Sequence, residues 1–291
     1  MILYVSILIL GAKKATYMLV NKKLSLLLLL CIQALLFSGV QAKEMIFLLA
    51  GQSNMVGQGN LSELAPNYRR PPRNVTFYFN GYQTPLNRFR HFGPEIGFAH
   101  ELARHYPHDQ IKLIKFAVGG TSLFAWDPNW NPSKANSTRN ASAGPLFKKL
   151  LKTARIQFDG DHSRLAGIIW MQGETDAKYP SAAKQYAGNL SRFVNTLRSE
   201  LQSPNAPFIM GSINPPLKLF PSTPVVQRAQ QFAASRIRNL RLIKTGDLSK
   251  RNDHLHYNTN GQLELGKRFA RAFIKSHVAQ KRFELAKTTI Q

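Results

Sequence analysis

The chain contains a single cysteine, Cys31, in 291 residues. A disulfide-stapled fold is therefore excluded, and so is a zinc site built on CxxC pairs. Acidic residues are also scarce: 15 Asp and Glu stand against 39 Lys and Arg, for a formal charge of +24. That imbalance bears on partners and solubility rather than on fold. There is no internal repeat, no low-complexity tract and no convincing interdomain linker. What is present is globular in kind, 44% hydrophobic and 10% aromatic with 19 Gly and 16 Pro. Such a composition does not suit a disordered, collagenous or coiled-coil chain.

Residues 1–42 hold four lysines (Lys13, Lys14, Lys22, Lys23) and no acidic residue. From Met18, a basic Asn21-Lys22-Lys23 segment leads into a mostly apolar run, Leu24 to Phe37, and then Ser38-Gly39-Val40-Gln41-Ala42. A positive start, an apolar stretch short of the roughly 20 residues a bilayer span needs, and a small-residue end together read as an export signal cleaved after Ala42, with a transmembrane anchor as the rival reading. Met18 is the more natural start, since Met1–Leu10 is a second, shorter apolar stretch. Leu30 precedes Cys31 where a lipoprotein box requires a small residue, so lipidation is not expected. With 35 basic residues left against 15 acidic ones, residues 43–291 carry a net +20. An exported, cysteine-free chain of this size suits a secreted or periplasmic setting without a lasting membrane span.

Short apolar runs alternate with longer helical patterns. Strands are expected at Met45–Ala50, Ile111–Val118, Ala166–Met171, Pro207–Ile213 and Leu240–Thr245, each bounded by Gly, Pro or Asn. Helices fit at Pro94–His105, Leu146–Phe158, Ala182–Leu201, Pro224–Arg238 and Gly261–Val278. In the fourth, Val225, Ala229, Phe232, Ala233 and Ile237 fall on one stripe. The alternation implies one α/β domain over residues 43–291, a three-layer α/β/α sandwich around a mainly parallel five-stranded sheet. In such sheets ligands sit at the carboxyl ends of the strands.

Several polar motifs fall just after strands. Leu49-Ala50-Gly51-Gln52-Ser53-Asn54-Met55 places a serine on a Gly-flanked turn, with backbone N–H groups beside it, though such a serine is often only a helix cap. Asp253-His254-Leu255-His256-Tyr257 lets one short loop supply a base and an orienting carboxylate. Between them lie Gly119-Gly120-Thr121-Ser122 and Trp170-Met171-Gln172-Gly173-Glu174-Thr175-Asp176. Their glycine N–H groups and the Gln172 amide are the kind of donors that stabilise an oxyanion.

Jointly these motifs, with Gly93-Pro94-Glu95-Ile96-Gly97-Phe98-Ala99, resemble the SGNH hydrolase superfamily, specifically the carbohydrate esterase family six and sialate O-acetylesterase-like group. They come in that group's order over about residues 44–275. The resemblance implies a metal-free, cofactor-free serine esterase that removes O-acetyl groups from carbohydrate of the acetylxylan or sialate type. Carried over position by position, Ser53 is the nucleophile and His256 the base. The N–H groups of Ser53 and Gly120, with the Gln172 side chain, form the oxyanion hole. Asp253 fits the superfamily's Asp-x-x-His pattern as the triad acid, with Glu174 as the alternative. Two departures stand out: Gly-Gln-Ser replaces Gly-Asp-Ser in the first block, and the Gln172 block replaces the superfamily's third-block Asn. Both point from lipids toward sugar esters.

His100 and His105 are five residues apart and diverge by about 140° on a helix, so they are not a zincin pair. Trp126 and Trp130, in a Pro/Asn-rich loop, are candidates for stacking on sugar rings, and the Pro215-Pro216 loop for another rim. The positive charge, spread over residues 148–155, 236–251 and 267–282, would attract an acidic glycan or an envelope surface. No motif points to specific nucleic-acid recognition. The competing reading is a non-catalytic binder of acidic glycan or other polyanion.

Overall fold

The computed structural model describes residues 42–158 and 165–288. The expected export signal, but for Ala42, lies outside the described residues. The strands in chain order are β1 (Glu44–Gly51), β2 (Gly59–Asn60), β3 (Val75–Phe79), β4 (Tyr82–Gln83), β5 (His91–Phe92), β6 (Gln110–Ala117), β7 (Leu165–Met171), β8 (Phe208–Gly211) and β9 (Leu240–Ile243). The helices are α1 (Ser53–Val56), α2 (Pro66–Arg69), α3 (Glu95–His105), α4 (Pro132–Asn136), α5 (Leu146–Phe158), α6 (Glu174–Lys178), α7 (Pro180–Glu200), α8 (Thr223–Arg236) and α9 (Thr259–Thr288).

The central sheet runs β4-β3-β6-β1-β7-β8-β9, and β2 pairs with β5 separately. All neighbours in the central sheet are parallel except the β3–β4 edge hairpin. The five expected strands correspond to β1, β6, β7, β8 and β9, and β3 and β4 extend the sheet to seven. The residues of β1 show why two helical layers cover it. Ile46, Leu48 and Ala50 enter one core cluster, with residues of α5, α7 and α8. Met45, Phe47 and Leu49 enter the other, with residues of α3 and α9. Side chains alternate between faces at a period of two, so a strand buried on both faces must be apolar throughout.

Helix starts follow the sequence. Pro180 and Pro224 sit in the first turns of α7 and α8, where a missing N–H costs nothing. One expected stripe is displaced: in α8 the buried face carries Val226, Ala229, Gln230 and Ala233, whereas Phe232 is 56% exposed beneath the Arg236 guanidinium. No helix among the described residues is long and apolar enough to cross a membrane.

In register, Gly51 lies opposite both Ala117 and Met171. The carboxyl ends of β1, β6 and β7 therefore finish level. The chain leaves β1 toward β3 on one side, returns to β6, and crosses to β7 on the other, so the crevice opens around the end of β1.

Candidate active site

The site is built outward from Gly51. Its φ is +142°, and a Cβ there would lie 2.1 Å from the Met171 carbonyl oxygen. Only glycine allows β1 to turn so close to β7. Gln52 follows, donating its N–H to that carbonyl at 3.0 Å. Its side-chain Oε1 caps α1 by accepting the Asn54 N–H at 2.8 Å. Ser53 thus opens a single helical turn, closed where the Gly57 N–H donates to the Ser53 carbonyl at 2.8 Å.

The loop between β9 and α9 approaches this turn. Asp253 Oδ1 accepts the N–H groups of Leu255 and His256, both at 2.9 Å, and Oδ2 lies 2.7 Å from His256 Nδ1. A carboxylate at that distance fixes the proton on Nδ1, leaving the Nε2 lone pair toward Ser53 Oγ, 3.0 Å away. Partial burial pushes the Asp253 carboxyl up, but the bonds from His256 and Leu255 outweigh it and hold it down at about 2. The Ser53 hydroxyl has one proton and two acceptors, His256 Nε2 and Gln52 Oε1, the latter at 2.6 Å.

Beside Ser53 runs the turn after β6. A Cβ on Gly119 would sit 3.5 Å from the Ser53 Cβ, and Gly120 has φ +69°. The N–H groups of Ser53 and Gly120 make no internal hydrogen bond among the described residues. The turn is braced from behind. Asn140 Nδ2 donates to the Gly120 carbonyl at 3.0 Å, and its Oδ1 accepts the Ser122 N–H at 2.8 Å.

Gln172 departs from expectation. It is fully buried, and its amide nitrogen donates to the Thr121 carbonyl at 3.0 Å and to the Asp176 carboxyl. With both N–H groups committed it is a brace for the glycine turn, not a third oxyanion donor. Asp176 in turn accepts the Leu123 N–H, and burial pushes its carboxyl up to about 7 despite the Gln172 hydrogen bond.

Glu174 opens α6 beneath the site. Burial pushes its carboxyl up, opposed by its own N–H, by the adjacent Gln52 and Asn54 side chains and by the charge of His256. The ring nitrogens of His256 are taken by Asp253 and Ser53, so Asp253 rather than Glu174 occupies the orienting position. Lys250 lies close by, its Nζ donating to the Asn214 carbonyl. Burial lowers its pKa against the pull of Glu174 and Asp253.

The tryptophan expectation is corrected at Trp126. Its ring is 0% exposed, packs edge-on to Trp170 at 5.2 Å and donates Nε1–H to Thr121 Oγ1. A ring with no free face belongs to the core and cannot stack on a sugar. Trp130 is half-buried against the small cluster of Phe124, Ala135 and Ala182. His100 packs on Tyr68 at 5.0 Å, and Glu101 pairs with Arg104 and Arg271. Among the described residues no group of three His, Cys, Asp or Glu is gathered as a metal site. Gln52 was noted only as a departure from Gly-Asp-Ser, and Asn54, Asn140 and Asp176 were given no role at the site. Gln52, Asn54 and Asp176 lie inside the motifs that flagged the site, whereas Asn140 lies outside them.

A mainly parallel α/β sandwich with a serine, histidine and carboxylate gathered at the carboxyl end of β1 is an arrangement suited to ester hydrolysis. The comparisons agree. The family model for carbohydrate esterase, sialic acid-specific acetylesterase, matches residues 43–275, and the chain belongs to that family. It is a carboxylic ester hydrolase of the carbohydrate esterase kind. A probable carbohydrate esterase of Arabidopsis thaliana is 24% identical over 260 residues, covering 79% of this chain and 90% of that protein. Among solved structures, an Arabidopsis thaliana protein superposes with a TM-score of 0.66 at 21% identity, over 80% of this chain and 98% of that one. NanS gives 0.61 at 14% identity, over 81% and 98%. A carbohydrate acetylesterase from Xanthomonas citri gives 0.59 at 18% identity, over 78% and 55%.

Proposed function

We propose that the protein is an exported serine esterase that removes O-acetyl groups from carbohydrate of the acetylxylan or sialate type. The observation that carries this reading is the continuous line Ser53 Oγ, His256 Nε2, His256 Nδ1, Asp253 Oδ2, with contacts of 3.0 and 2.7 Å. His256 takes the Ser53 proton as Oγ attacks the acetyl carbonyl carbon, and Asp253 stabilises the imidazolium. The oxyanion is received by the N–H groups of Ser53 and Gly120. His256 then protonates the departing sugar oxygen as the ester bond breaks. Water, deprotonated by the same imidazole, releases acetate and returns the proton to Ser53. The family, and a relative named as a carbohydrate acetylesterase, support acetate as the acyl group. The basic, apolar, small-residue order of residues 18–42 supports export. The net positive charge supports an acidic glycan or envelope surface as the place of action.

The test is acetate release by purified protein and Ser53→Ala on acetylxylan, O-acetylated sialic acid and a small aryl acetate. Serine-dependent release from one glycan is the expected result and identifies the substrate class. No release from any ester by folded protein overturns the reading in favour of a polyanion-binding role. Amino-terminal sequencing of the exported protein should begin at Lys43.

A further inference from the structure

The nucleophile and its base are carried by segments 203 residues apart, on a helical turn and on an irregular loop. The bonds that shape the base, from Asp253 to Leu255 and His256, are internal to the loop. They orient the ring within the loop but do not say where the loop sits relative to Ser53. That placement needs contacts that cross between the segments. Arg251 to Gln58 is one, at 2.9 Å, but it is exposed and open to competition by water. The Asn60 N–H to Thr259 Oγ1 is another, at 2.8 Å, and it lies past the loop at the start of α9.

Asn54 is differently placed. It directly follows Ser53 and is 1% exposed. Its Oδ1 accepts the Tyr257 N–H at 3.0 Å and its Nδ2 donates to the Leu255 carbonyl at 3.4 Å. One amide therefore grips the backbone on both sides of His256, as a neighbouring strand would in a ladder. Its own N–H is held by Gln52 Oε1, which also receives the Ser53 hydroxyl. We propose that Asn54 is a positioning residue that sets the Ser53–His256 distance by clamping the peptide groups flanking His256 onto the nucleophile turn. This rests on the functional reading above. It requires a side chain with one donor and one acceptor of this length. Alanine deletes both and leaves a cavity, and leucine deletes both while filling the space.

The experiment uses the full chain with a small aryl acetate. Wild type, Ser53→Ala, His256→Ala, Asn54→Ala and Asn54→Leu are compared, along with each Asn54 variant in the His256→Ala background. Loss of about an ångström of alignment costs on the order of 100-fold in rate. Accordingly kcat should fall about 100-fold in Asn54→Ala or Asn54→Leu, with KM within about threefold of wild type. Because the clamp acts through the imidazole, the same substitution should change the residual rate of His256→Ala by less than about twofold. If alanine does not fold, the volume-preserving leucine variant carries the test. A kcat within threefold of wild type, or an equal fall with and without His256, overturns the clamp while leaving the esterase reading intact. Absence of Ser53-dependent turnover in the wild type overturns the esterase reading itself.

Discussion

The two halves of the site are held by different means. On the sheet side, Gln52, Asn54, Ser122, Gln172 and Asp176 are all buried. They tie the ends of β1, β6 and β7 together with bonds that span from a few to more than fifty residues. On the other side, Arg251 to His254 are exposed, and the loop keeps its shape through short-range bonds, Asp253 to Leu255 and His256 and the Arg251 N–H to the His256 carbonyl at 2.8 Å. Ser53 and the glycine turn are thus fixed by the folding of the whole sheet, whereas the loop carrying His256 is a local unit that needs only docking. A buried polar network loses much when one member is removed, while a solvated loop loses mainly the function of the atom removed.

The largest test of this contrast sets the exposed carboxyl against the buried one. Asp253→Asn should lower kcat by about 10⁴-fold, by disturbing the imidazole tautomer, with little change in unfolding free energy. Glu174→Gln should lower kcat less than about tenfold. Steady-state kinetics with denaturant melts on both variants check this, and a reversed order would move the acid to the buried half. Next, Gln172→Leu removes the donor to Thr121 and strands the Asp176 carboxyl, so urea unfolding should show a loss of roughly 2–4 kcal/mol. Gly120→Ala should be milder. Its φ is +69° but an added Cβ meets nothing within 4 Å, so the cost is conformational alone, about 1 kcal/mol in the same measurement.

The pH dependence of stability has opposite signs in the two halves. Asp253 is depressed to about 2 from 3.8. Its contribution is therefore complete above about pH 4 and lost as pH falls through 2. Asp176 is raised to about 7 from 3.8. The native state then holds the proton more tightly than the unfolded chain, and stability declines as pH rises from about 4 to 7. Melting temperatures of Asp253→Asn and Asp176→Asn across pH 2–8 should each flatten one of these limbs and leave the other.

What was legible in the sequence follows the same division. Of the five expected strands, β1, β7 and β8 were plain because burial on both faces leaves unbroken apolar runs, as in Met45–Ala50. The segment Val75–Phe79 escaped because only Phe77 is buried in it, and the two residues of β4 carry no period at all. Ser53, Asp253 and His256 were singled out from motifs of local spacing, and the fold brings them within hydrogen-bond reach. Gln172 was placed correctly in the chain but given the wrong partner, since a motif does not say which way an amide points. Trp126 and Phe232 failed in opposite directions. A loop indole turned inward onto Trp170, and a ring at helical spacing turned outward onto Arg236. Tertiary packing decided both.

The order of the site along the chain has a consequence for biosynthesis. The strands β1, β6 and β7, with the serine turn and the glycine turn, are all made before the loop bearing His256. A nascent chain can assemble the Ser53 turn and still lack His256, which emerges only after β9. On the Ser53–His256 mechanism proposed above, turnover is then withheld until nearly the whole domain has been synthesised and the last loop docks, which makes it a sensitive report on completed folding rather than on partial collapse.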